Sequence, residues 1–242
     1  MKKTIVLMLL SLFVLGTYQS NVFAEENNET KVENIGIDNN VRKNISDNSM
    51  TDIKLNNLII TSEHPLETID VELVDTENKV IANVYSKGTS DLIESFSEEK
   101  APNNLLQRAA TSTYNSTVSA RYRVGSSSSS IYVIAYANVN ISAGTGWAQI
   151  NKKPSSIWQS PDSSGNWVLK NKNQSVRTTT FPTTNMGLNI QGLVEISKSV
   201  SSSMGLSFKF LNDVGFDMSG TVSSNWYARK NYNSTVYIKT MW

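Results

Sequence analysis

The 242-residue sequence predicts an all-β protein, with an antiparallel β-sandwich or partly open barrel of eight or nine strands in its C-terminal half. Three observations carry that prediction. In Ile131–Ser142, Ile131, Val133, Ala135, Ala137, Val139 and Ile141 alternate with Tyr132, Ile134, Tyr136, Asn138, Asn140 and Ser142. This is the signature of a strand with one buried face. The same period of two returns in Val118–Val124, Met186–Ser197, Leu206-Phe208-Phe210, Trp226-Ala228 and Val236–Trp242. Turn chemistry separates the runs, at Gly125 with its serines, at 143–146 (AGTG) and at 159–166 (QSPDSSGN).

The chain opens with Met1-Lys2-Lys3, an apolar run to Gly16, and Val22-Phe23-Ala24. That arrangement reads as an export signal over residues 1–24, cleaved between Ala24 and Glu25. Its apolar core of about a dozen residues is too short for a bilayer span of ~20. The Lys-Lys start and the absence of cysteine point to a secreted bacterial protein without disulfides or thiolate metal ligands. Residues 25–50 are polar and nearly free of aromatics, so they are expected to be disordered. Residues 51–87 form a β-hairpin unit, Thr68–Asp75 and Lys79–Ser86 joined by a short loop, with Leu58–Ile60 as an added strand. Residues 88–112 read as a linker holding a short helix over Asp91–Phe96 that Pro102 stops. Residues 113–242 are the β-domain. Within it, Tyr114–Val118 (YNSTV) recurs as Tyr232–Val236, which places the first and last strands of that domain in equivalent, adjacent positions.

Charge divides the chain. Residues 25–112 hold 17 acids against 8 Lys and Arg, whereas residues 113–242 hold 4 acids against 12. The acidic front is expected to fold back over the basic body. All five Trp lie in the basic half.

The chemistry is bounded by what is missing. His64 is the only histidine and precedes Pro65 in the acidic half, which excludes a Ser-His-Asp triad in the β-domain and a zinc site of ordinary composition. It reads as an exposed turn residue. Glu195, Asp213 and Asp217 are the carboxylates left for a glycoside hydrolase, a minor alternative because Asp near Gly215 suits a turn. No phosphate-cradling loop appears, and no metal or cofactor is expected. Basic and aromatic residues cluster twice, at Lys152-Lys153 with Trp158 and at Trp226 with Arg229-Lys230. Exposed aromatics stack on sugars, and lysines beside them attract anionic polymers. The expected function is therefore non-catalytic binding of an anionic or sugar-bearing cell-wall polymer or glycan, with nucleic acid less natural for an exported chain. The alternative is a membrane-active toxin or bacteriocin with an acidic pro-segment, reading the Ser/Thr-rich alternating strands as membrane hairpins.

Overall fold

A computed structural model of the chain describes residues 40–101, 111–126, 129, 131–162, 167–203, 205–221 and 225–240. The predicted signal with Ala24 and Glu25, residues 25–39 and linker residues 102–110 lie outside the described residues. The fold is all-β, built of two antiparallel sheets, one of them a curled half-barrel.

The chain visits the first sheet, crosses to the second, and returns. Val41–Lys43 (β1), Thr51–Lys54 (β2) and Ile59–Ser62 (β3) make an antiparallel meander. Part of the stretch expected to be disordered is thus ordered as β1. Ile53, Leu58 and Ile60 are fully buried, and this burial anchors the meander. A 3-10 turn, Leu66–Thr68, leads to Ile69–Asp75 (β4) and Lys79–Ser86 (β5), the expected hairpin. Its loop is tied by Thr76 N–H to the Lys79 carbonyl (2.9 Å) and by Lys79 N–H to Thr76 Oγ1 (3.1 Å).

Leu92–Glu99 (β6) is a strand, not the expected helix. Glu94, Phe96 and Glu98 point inward, so an acidic-apolar-acidic row hides the alternation. Thr111–Arg123 (β7), Tyr132–Gly144 (β8), Trp147–Ile150 (β9) and Ile157–Pro161 (β10) follow. The order of this second sheet is β10-β8-β7-β6-β5-β4, with β9 also on β8.

The return consists of Val168–Val176 (β11) and Asn185–Ser197 (β12), two short helices, Lys198–Ser203 (α1) and Phe208–Asp213 (α2), and then Asp217–Gly220 (β13) and Trp226–Lys239 (β14). The first sheet has the order β1-β2-β3-β14-β12-β11, with β13 on β14. In the run Leu206-Phe208-Phe210, Phe208 and Phe210 are helical rather than extended, and Leu206 precedes the helix. Ser207 Oγ accepts from Phe210 N–H (3.1 Å) as N-cap. Gly215, with φ +84°, ends the helix in a Schellman motif, in which Phe216 N–H donates to the Leu211 carbonyl and Gly215 N–H to that of Asn212, both at 3.0 Å.

The acidic front is part of the same fold. β3 pairs with β14, and β6 pairs with β7, so excising residues up to 112 would remove β1 to β6 from both sheets. The repeated YNSTV segments lie on β7 and β14, which are in opposite sheets and are not adjacent. They are equivalent nonetheless: each strand is third from the edge where β10 and β11 meet, and Ser116, Val118 and Val236 in the two copies point inward.

One apolar cluster fills the space between the sheets around Phe96, Ile60, Ile141, Met186 and Ile238. A second lies under the helices around Trp167, Ile196, Leu211, Phe216 and Trp226. Polar latches cross the interior. Glu98, fully buried, accepts the backbone N–H groups of Asn56, Asn57 and Leu58 at 2.9–3.1 Å, joining β6 to the β2–β3 turn. Glu94 Oε2 accepts from Ser62 Oγ (2.7 Å). Within the first sheet, Lys239 Nζ donates to both oxygens of Asp52 (2.8 and 2.9 Å).

Candidate functional site

Strand β8 positions the site. On one side it pairs with β7 along its whole length. On the other it pairs with two collinear short strands, β9 against Ile141–Gly144 and β10 against Val133–Ala137. Residues 151–156 loop out between them. The loop is stitched down at both feet, Asn151 N–H to the Asn140 carbonyl (2.9 Å) and Asn138 N–H to the Ser156 carbonyl (3.0 Å). Lys152 and Lys153 are exposed at its crest.

An exposed tryptophan stands at each end of this line. Trp158 on β10 lies opposite Tyr136, and Trp147 on β9 lies opposite Gly144. They are 40% and 38% exposed, respectively. Trp158 stacks on Tyr136 with ring centroids 5.0 Å apart and planes 8° from parallel. The two partner positions, Tyr136 and Gly144, are eight positions apart on β8, about 26 Å at the usual rise. Between them the outward face is carpeted with amides and hydroxyls. Asn140 Nδ2 donates to Asn115 Oδ1, Asn151 Nδ2 to Asn140 Oδ1 and Ser142 Oγ, all at 2.9 Å, and Gln149 Nε2 to Asn151 Oδ1 at 3.0 Å. The face thus offers two aromatic platforms, pre-oriented hydrogen-bonding groups and two ammonium groups in one row. Sugar rings stack on such platforms through their apolar faces, and their hydroxyls replace water on the amides.

The second basic-aromatic cluster is not part of this row. Trp226 is 4% exposed and packs edge-on against Phe208 (5.7 Å, 86°), so this ring is core and not a surface ligand contact. Its phase along β14 explains the placement, since Trp226 shares the inward side with Ala228, Val236 and Ile238. Arg229 points outward on the first sheet and donates to Glu195 Oε2 (2.7 Å), while Lys170 Nζ reaches Glu195 Oε1 (2.5 Å). Lys230 is half-buried, with its ammonium beside Gly215. Lys152, Lys153 and Trp158 are therefore together on the second sheet, and Trp226, Arg229 and Lys230 are elsewhere.

Trp147 and Tyr136 belong to the row without having stood out in the sequence. Tyr136 carried a signal, as an aromatic on the polar face of an amphipathic strand.

Of the carboxylates weighed for hydrolysis, Glu195 and Asp217 flank Arg229 on neighbouring strands, and Asp213 lies apart at the end of α2. Glu195 is clamped between Lys170 and Arg229, which hold it below the usual carboxylate range, the opposite of what a general acid needs. Asp213 ends α2 and is exposed, and Asp217 begins β13 opposite Arg229. No protein-family model matches the chain, and comparisons with curated proteins and with solved structures found no match.

Proposed function

We propose that this is an exported, non-catalytic binding protein for an anionic or sugar-bearing cell-envelope polymer, and that the polymer lies along the Trp147–Trp158 row. The observation that supports this reading is the Trp158–Tyr136 stack, solvent-exposed and in line with Trp147 and the Lys152-Lys153 crest. The two indoles at opposite ends of this polar face are each more than a third exposed. A linear polymer spanning about 26 Å of strand would cover both. The stack also removes the rotamer freedom of Trp158 before binding, which lowers the entropic cost of using it.

The test is binding of the full mature chain to purified cell-wall polysaccharide, with Trp147→Ala, Trp158→Ala and Lys152→Ser/Lys153→Ser. Each Trp substitution should weaken binding by about tenfold or more, as for central aromatic contacts elsewhere, and at every salt concentration. The lysine pair should matter chiefly at low ionic strength, since a Debye length of about 10 Å at 0.1 M screens exposed charge. Wild-type affinity in both Trp variants would refute the proposal. Dye release from anionic liposomes without polymer binding would replace it with the membrane-active reading.

A further inference from the structure

A second concavity, independent of the Trp147–Trp158 row, opens at the end of the sandwich where the β3–β4 crossing, the β5–β6 loop and the end of β7 meet β14. It encloses about 540 Å³, within the range of small-ligand sites. Its charged lining consists of Glu63, His64, Asp91, Glu94 and Arg123, and Tyr122 and Tyr232 contribute to its wall. No lysine lines it. Arg123 is occupied, since it donates to Asp91 Oδ2 (3.0 Å) and Tyr132 Oη (3.1 Å) and also contacts the Leu92 carbonyl.

Glu94 is the informative residue. It is 5% exposed, and its Oε2 is held by Ser62. Its other oxygen, Oε1, accepts no hydrogen bond among the described residues. His64 Nε2 lies 3.8 Å from it. A nearly buried carboxyl with one oxygen open at a cavity wall can take a further donor, and none of the described residues supplies one. Among the described residues no set of three or more acids and histidines is arranged to hold a metal ion. The missing donor therefore fits an organic cation better than a metal.

We infer that this cleft binds a primary ammonium group carried on a small polar molecule or side chain, with Glu94 Oε1 as its principal acceptor and Glu63 at the mouth as its attracting charge. Tyr122, opposite Glu94 in the β6–β7 register, lines the same cleft, and an ammonium is drawn to aromatic rings. Burial pushes Glu94 up to about 7, with the Glu63 charge adding to that rise and the Ser62 hydroxyl opposing it. An arriving cation needs the carboxylate, so binding should be accompanied by proton release. Burial likewise holds His64 below its usual value, so it competes little for Glu94 near neutrality. Of the other groups facing Glu94, Asp91 stays ionised against Arg123, and Tyr122, held well above its usual value, stays neutral.

The experiment is calorimetric titration of the full mature chain with cadaverine, and with 1,5-pentanediol as the uncharged control. Cadaverine should bind and the diol should not. Affinity should rise about tenfold from pH 6 to pH 8 as Glu94 loses its proton, because the competent form grows from a minority to nearly all of the protein. Glu94→Gln, which keeps an acceptor for Ser62 and removes a buried charge, should fold and lose cadaverine binding. Glu63→Gln, at an exposed position, should weaken it several-fold without touching the fold. Nα-acetyl-lysine amide and glucosamine, titrated in parallel, distinguish a peptide side chain from an amino sugar as the source of the amine. Equal binding of cadaverine and the diol, no cadaverine binding at 10 mM, or full binding by a folded Glu94→Gln protein would each overturn the inference.

Discussion

Glu98→Ala should destabilise the protein by about 4 kcal/mol, the largest effect of any single substitution considered. The change removes the acceptor for three backbone N–H groups in the β2–β3 turn and leaves a hole where the carboxyl stood. A buried donor left without a partner costs about 1–3 kcal/mol, and the cavity adds to that. The carboxyl's own burial penalty offsets part of the loss, which is why the expected figure stays below the full sum. Glu98→Gln keeps one oxygen for the three donors and should cost about half as much. Urea denaturation gives both values, and a loss under about 1 kcal/mol for the alanine variant would show that water replaces the latch.

Stability should fall as the pH rises from about 4.5 to about 7. Burial pushes both Glu94 and Glu98 from 4.5 up to about 7, in the second case against the pull of three N–H donors. Both carboxyls are protonated in either state below 4.5. Between 4.5 and 7 the unfolded chain ionises them while the folded protein keeps them neutral, so unfolding is favoured. Above 7 the effect is complete. A displacement of that size corresponds to about 3 kcal/mol per carboxyl.

Two other sets of groups act in the opposite direction. Asp91 and Glu195 lie below their usual values through Arg123, and through Lys170 and Arg229, and their contribution is lost only as the pH falls through those lowered values. His64, lowered by burial, favours the folded state more as the pH approaches 6.5 from below. The two buried glutamates outweigh a single half-exposed imidazole. Thermal unfolding should therefore show a higher midpoint at pH 5 than at pH 8, with the difference roughly halved in Glu98→Gln. A midpoint that climbs from pH 5 to pH 8 contradicts the assignment.

The sandwich was legible wherever an apolar row faces a polar one. β8, β12 and the β4–β5 hairpin stand within two residues of their sequence-read positions, because burial on one face fixes both the period and the phase. β6 was hidden because its inward side chains are Glu94, Phe96 and Glu98. Two inward acids make sense only once the donors of another sheet are in view. At α2, Leu206, Phe208 and Phe210 keep a strand period, yet Ser207 and Gly215 at the two boundaries already spell a capped helix. Of the site, composition found Lys152, Lys153 and Trp158. It could not separate Trp158 from Trp226, since both follow turn-rich stretches and only the phase of the strand decides which indole meets solvent. His64 and Glu94, 30 positions apart, meet where the β3–β4 crossing passes β6 and carry no local signal.

The pairing of β3 with β14 also sets a clock. Asp52 and Lys239 are 187 positions apart, and the strands that carry them flank a third, so the first sheet remains open until the last strand arrives. Closing so long a loop precedes most of the reward from its contacts, which places folding on the scale of milliseconds to seconds or slower. During synthesis the β1–β3 meander has no neighbour in its own sheet until β14 is made. A ribosome-bound chain halted before Trp226 should accordingly be protease-sensitive throughout, whereas one halted after a flexible extension beyond residue 242 should become resistant. Resistance in the shorter chain would show that the second sheet folds alone.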